Sequence, residues 1–210
     1  MTIEEQYVDS LYKRDEQLER VKEGIASRGM PSISVADGYG RLLTMLVRMT
    51  GASKLLEIGA LGGYSGICLA RGLSDGGSLL SLELLPEYAE VARAHLTEAG
   101  FGDKVDYKIG DARKSLEELK AEGRKFDFFF IDADKEGYPA YLDYALELAE
   151  PGALIVGDNI LLRGRTVNAD KQGPSVLAVR SFNERIATDE RLESTILPGY
   201  DGLAIARVKG

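Results

Sequence analysis

The chain has 210 residues, 34 acidic against 26 basic side chains, and a net charge of −8. That balance disfavours a broad basic nucleic-acid footprint. A single cysteine, Cys68, excludes an internal disulfide framework and fits a reducing, cytoplasmic setting; no apolar run reaches membrane-span length, and the polar start MTIEEQYVDS does not read as a signal peptide.

Residues 3–28 are charged, with Tyr7, Leu11, Leu18, Val21 and Ile25 at near-helical spacing. The pattern predicts one amphipathic helix ended by Gly29 and Pro31. A second helix is expected over 36–49, with Leu42, Leu43, Leu46 and Val47 inward. An alternation of strands and helices follows. Strands are expected at 54–59, 78–84, 104–110, 125–133 and 153–159, each of the first four followed by a helix, and a long helix at 173–188. The stretches ESTILPG and DGLAIARVK read as two closing strands joined tightly. Crossover connections imply a doubly wound, mostly parallel sheet, and the short last connection implies an antiparallel pair. The expectation is one Rossmann-like α/β domain over 1–210 with a seven-stranded sheet. Its helical part, 1–50, either covers the site or makes a dimer contact.

Ligands bind such sheets outside the carboxyl ends of the strands. After the first strand comes EIGALGGYSG, in which Gly59, Gly62 and Gly63 permit a tight turn. Leu61 stands where a dinucleotide fingerprint needs glycine. The second strand ends in Glu83, an acid able to accept both hydroxyls of a ribose, or simply a solvated glutamate before a helix. Glu57 lies inside an apolar run and needs a partner. After the third strand, Ala112 is small enough for an adenine to rest against the backbone.

The fourth strand carries FFFIDADK, an apolar rod running into Asp132, Asp134 and Lys135; the fifth carries LIVGDN, ending in Asp158 and Asn159. Side by side, Asp132, Asp158 and Asn159 offer hard oxygen ligands suited to Mg²⁺, Mn²⁺ or Ca²⁺. The alternative is a helix cap at Asp132 and a turn at Asp158–Asn159. The only histidine, His95, lies mid-helix and reads as a surface residue, so no zinc site of histidines and thiolates can form. Lys135 by itself reads as a surface lysine paired with Asp134 or Glu136. A nicotinamide oxidoreductase would share the sheet but leaves GDN unused. A phosphotransferase would share D-x-D, but that motif would then end the first strand.

Together, EIGALGGYSG, LELLPEYAEVA, GDA, FIDADKEGY and GDN resemble the cation-dependent class I S-adenosylmethionine O-methyltransferases, the caffeoyl-CoA and catechol O-methyltransferase family. The likeness runs from about residue 32 to the C-terminus. It implies that Asp132, Asp158 and Asn159 ligate the metal. It implies that Glu83 holds the ribose, that Glu57, Gly59, Ala60 and Ser65 surround the methionine end, and that Ala112 meets the adenine. Val35 would lie over the cofactor, Asp132 would be shared between metal and cofactor, and Lys135 would be the catalytic base. The implied reaction is methyl transfer to a catechol-like or other small phenol, or alternatively to a hydroxylated tRNA uridine, in a homodimer. Two places depart from the pattern. Arg163 replaces an asparagine of the plant members, and SISVADGYGRLL lacks the acid-glycine-glutamine run. Asp134 and Arg163 are the expected acceptor contacts.

Overall fold

The computed structural model describes residues 1–210. Eight helices and seven strands form a three-layer α/β sandwich. The strands are β1 (Lys54–Ile58), β2 (Ser78–Glu83), β3 (Val105–Ile109), β4 (Phe126–Ile131), β5 (Ala149–Asp158), β6 (Leu192–Leu197) and β7 (Leu203–Val208). Their order is β3-β2-β1-β4-β5-β7-β6. Neighbours are parallel from β3 through β5, and β7 runs antiparallel to both β5 and β6. The expected sheet and its antiparallel closing pair are both present.

The opening helix differs from expectation. The chain forms α1 (Ile3–Ser10) and α2 (Glu16–Ser27) rather than one helix. Thr2 and Glu5 make a capping box at the start of α1, and Asp15 accepts the Leu18 N–H as the N-cap of α2. Arg71 pairs with Asp15 at 2.5 Å and fixes the break. Strand β5 also begins earlier than expected, directly after α7 (Tyr138–Leu148). Phe126 pairs with Ala149, and a register shift before Phe128 takes up the irregularity around Pro151.

The β4 rod alternates between two cores. Phe128 and Phe130 pack with residues of α2, α3 (Asp37–Thr50) and α4 (Tyr64–Ala70). Phe126, Phe129 and Ile131 pack with α6 (Ala112–Ala121), α7 and α8 (Pro174–Thr188). Each of Phe128 to Ile131 is fully enclosed, which makes β4 a rigid mount for whatever follows it. The crevice lies where β1 sends the chain outward to β2 on one side and lies against β4 on the other. At that point β1 and β4 come so close that a Cβ on Gly59, whose φ is +99°, would lie 2.2 Å from the Asp132 carbonyl oxygen.

The N-terminal helices pack on their own chain. Ile25 of α2 lies over the glycine turn, where a Cβ on Gly62 would approach it to 2.3 Å. Glu5 of α1 accepts the Tyr200 N–H at 2.6 Å. Helix α1 buries none of its residues and leaves Ile3 and Tyr7 exposed. No helix is long and apolar enough to cross a membrane.

Truncating the rod tests its anchoring role. Phe130→Ala should cost roughly 3–5 kcal/mol of unfolding free energy in a urea titration. A loss below about 1 kcal/mol would mean that the core closes over the gap and that β4 is not the rigid element described.

Candidate active site

A cavity of about 730 Å³ opens at the carboxyl ends of β1, β2, β3 and β4. Its walls include Val35, Gly59, Ala60, Ser65, Glu83, Ala112, Asp132, Asp134, Lys135, Asn159 and Arg163. Eleven of the thirteen residues singled out from sequence therefore face one space. Glu57 and Asp158 do not line it and lie beneath its floor, each about 1% exposed.

The turn after β1 is organised by Glu83. One carboxylate oxygen accepts the N–H groups of Ala60 (3.1 Å) and Leu61 (2.9 Å), and the other accepts that of Leu85 (3.0 Å). Leu61 adopts φ +47°, the left-handed conformation a glycine would take more cheaply. Glu83 thus holds a leucine in a glycine-like conformation. Oε2 is thereby used twice, and Oε1 keeps acceptor capacity.

Glu57 sits one layer down and differs from its expected place at the cavity wall. It accepts the hydroxyls of Ser65 (2.5 Å) and Ser81 (2.6 Å). Burial pushes its carboxyl up to about 7; the two serine bonds oppose this, and the charges of Glu83 and Asp132 add to it. Its physical part is to orient Ser65, which does reach the cavity.

At the β4 and β5 tips, Ile131 pairs with Gly157, so Asp132 and Asp158 are the next residues of adjacent parallel strands. The Lys135 ammonium lies among their oxygens. It is 2.9 Å from Asp132 Oδ1, 2.5 Å from the Tyr138 hydroxyl, 3.3 Å from the Asp158 carbonyl oxygen and 3.5 Å from Asn159 Oδ1. Asn159 is left-handed at φ +55° and donates its N–H to Asp158 Oδ1 at 2.7 Å. Burial, and then the Asp132 charge, raise the Asp158 carboxyl above the usual range. Two carboxylates at close quarters, one of them buried, favour a positive charge between them. The chain holds no cluster of three or more His, Cys, Asp or Glu side chains suited to a metal. The set here has two carboxylates and takes further oxygen from an amide, a hard-donor chemistry that fits a divalent cation.

Three features escape the sequence reading. Tyr138 is fully buried and bridges Lys135 to the Asp158 carbonyl, to which its hydroxyl donates at 2.7 Å. Tyr141 donates to Asp134, whose other oxygen accepts the Gly137 N–H at 2.8 Å; Asp134 is thereby held at the cavity wall with both oxygens engaged. The i, i+3 spacing of the two tyrosines behind Asp134 was the available signal. His95 is not a bare surface residue, because its Nδ1 lies 2.8 Å from the Gly62 carbonyl and clasps the glycine turn.

Comparison with known proteins places this geometry in context. The model of a family described as O-methyltransferase matches residues 8–209. A catechol O-methyltransferase from Niastella koreensis is 38% identical over 207 residues, covering 96% of this chain and 94% of that protein. Caffeoyl-CoA O-methyltransferase 2 from Zea mays is 33% identical, covering 94% of this chain and 79% of the maize protein. The crystal structure of an O-methyltransferase from Bacillus cereus in complex with SAH superposes with a TM-score of 0.92 at 41% identity, covering 99% of this chain and 98% of that one.

The buried Glu57 generates a pH signature. Its folded pKa exceeds its unfolded value of 4.5, so the folded state binds the extra proton. The associated stability is complete below pH 4.5 and is lost as pH rises through about 7. In Glu57→Gln the fall in unfolding free energy between pH 5 and about 7.5 should be shallower than in the parent, by roughly 2–3 kcal/mol. Parallel curves for the two proteins in denaturant titrations would contradict this.

Proposed function

The chain belongs to the O-methyltransferase family and is an S-adenosylmethionine-dependent O-methyltransferase; from that premise we propose that it methylates a hydroxyl of a catechol-like phenol, with a divalent cation at Asp132, Asp158 and Asn159 and with Lys135 as general base. The observation that carries the reading is the convergence of the Asp132 and Asn159 side-chain oxygens on the lysine ammonium, over the buried Asp158. The nicotinamide alternative gives way to the family membership.

The donor supplies an activated methyl group, and the cation, when bound, supplies charge that favours the acceptor as an oxyanion and grips neighbouring hydroxyls. Asp132, Asp158 and Asn159 would hold that cation, with Asp132 also facing the donor. Glu83 would accept from the ribose through the acceptor capacity left on Oε1. Gly59, Ala60 and Ser65 would surround the methionine end, with Glu57 orienting Ser65 from beneath. Ala112 would lie against the adenine. Val35, buried at the cavity wall, would close over the donor and exclude water.

Lys135 would take the proton from the acceptor hydroxyl. It would do so as the neutral amine, a form that the positive charge of a cation held at Asp132 would favour. Tyr138 fixes where the amine sits by a hydrogen bond at 2.5 Å. The remaining contribution is alignment: a rigid strand tip carries Asp132, and Lys135 follows three residues later.

Methyl transfer to 3,4-dihydroxyphenyl acceptors, followed by chromatography, checks the assignment. Activity with Mg²⁺ should fall to background with EDTA and return with added Mg²⁺. Lys135→Ala should lower kcat by about 10²-fold or more, within the range for losing a general base. Turnover that persists under chelation would reject the metal role, and an undiminished Lys135→Ala would reject the base.

A further inference from the structure

We infer that His95 is a positioning residue for the methyl donor, and that α2 sets donor affinity by holding its ring. This rests on the reading above that the donor lies against the glycine turn after β1. It concerns two residues, His95 and Gly24, that do not line the cavity.

The turn has a freedom that something must remove. Gly59, Leu61 and Gly63 have φ of +99°, +47° and +86°. Gly62 and Gly63 carry no side chain, so the peptide between them rotates easily unless it is tied. Glu83 holds the N–H groups of Ala60 and Leu61, and the Gly63 N–H donates to the Ala60 carbonyl at 2.9 Å. The Gly62 carbonyl has one hydrogen bond, from His95 Nδ1 at 2.8 Å. A carbonyl only accepts, so the proton of that contact sits on Nδ1.

The imidazole is confined from two sides. Helix α5 (Pro86–Glu98) packs directly on the turn, and a Cβ on Gly63 would lie 3.1 Å from the Ala92 Cα and 2.8 Å from the Leu96 side chain. On the far side α2 presents Gly24, where a Cβ would stand 2.5 Å from His95 Nε2. The next residue, Ile25, lies over Gly62 itself. One stretch of α2 therefore closes on the histidine and on its acceptor together. Glycine is a poor residue for a helix interior, and the room that Gly24 leaves is the room the imidazole fills.

Release of the histidine frees a carbonyl. Gly62 is buried and lines the cavity, and a buried carbonyl without a partner is unfavourable. Rotation of the Gly62–Gly63 peptide toward the cavity gives that carbonyl water and takes the turn away from the shape the donor meets. His95 thus acts on the donor through the turn, and α2 acts through His95.

Calorimetric titration with S-adenosylhomocysteine gives the donor-site Kd. Methyl transfer to a catechol by the Mg²⁺-loaded protein at saturating donor gives the acceptor KM. His95→Phe, which keeps a ring and loses the N–H, should raise Kd roughly three- to tenfold and leave the acceptor KM unchanged. His95→Asn, whose Nδ2–H stands at the same branch position as Nδ1, should restore most of the affinity. Gly24→Ala improves α2 as a helix, yet its methyl group should displace the ring and raise Kd as His95→Phe does. An Asn variant no better than the Phe variant, or an acceptor KM that rises in step with Kd, would overturn the positioning role. Parent affinity in Gly24→Ala would overturn the part given to α2. Glu83→Gln separates the remaining failures. Unchanged Kd in His95→Phe beside a weakened Glu83→Gln would overturn the role of His95 alone, whereas unchanged Kd in both would overturn the donor placement and the inference with it.

Discussion

Two carboxylates brought together at adjacent strand tips set the terms for the rest of the molecule. Parallel pairing of β4 with β5, with Ile131 opposite Gly157, places Asp132 and Asp158 next in line on adjacent strands. Burial of Asp158 leaves the charge of Asp132 poorly screened there, so the pair calls for a cation. In the bare chain the Lys135 ammonium answers that call at 2.9 Å from Asp132. The phenylalanine rod, enclosed by two cores, resists any relaxation of the strand that carries Asp132.

The side of the cleft proposed for the donor follows a different logic. There the carboxylates act as internal scaffolding before they act on a ligand. Glu83 ties down a turn whose left-handed residue is leucine, and Glu57 ties Ser65 to Ser81 from below. His95 and Ile25 clasp the same turn from two helices. The cavity wall is thereby preformed, and little ordering remains for a bound donor to impose. The side proposed for the acceptor is built from the loop beyond β5, held by Arg180 and by the turn at Gly199–Asp201, which Glu5 of α1 supports through Tyr200.

Much of the fold was legible because buried parallel strands write themselves as apolar runs. FFFI and LIVG could hardly be anything else, and the acids after them fall at the crevice by topology alone. The break between α1 and α2 was less visible. Hydrophobic spacing continues through residues 11–15, and the Asp15 cap competes with it only once Arg71, distant in sequence, pairs with that aspartate. The early start of β5 depends on a bulge against Phe126, a pairing no local pattern encodes. In the site, residue types at strand ends could be read, but depth could not. Glu57 and Asp158 are adjacent in chain to cavity residues, yet both are buried and form no part of its lining, and only the packed sheet decides that. His95 looked like a surface residue because its partner is a backbone carbonyl, which carries no sequence signal.

Equilibrium Mn²⁺ binding, followed by electron paramagnetic resonance in the presence of S-adenosylhomocysteine, tests most directly whether the strand tips form a cation site. One Mn²⁺ per chain should be bound, Mg²⁺ should displace it, and Asp132→Asn or Asp158→Asn should abolish it in protein that still unfolds cooperatively. Absence of bound Mn²⁺ in the parent, or retention of it when either aspartate is replaced, would contradict the account.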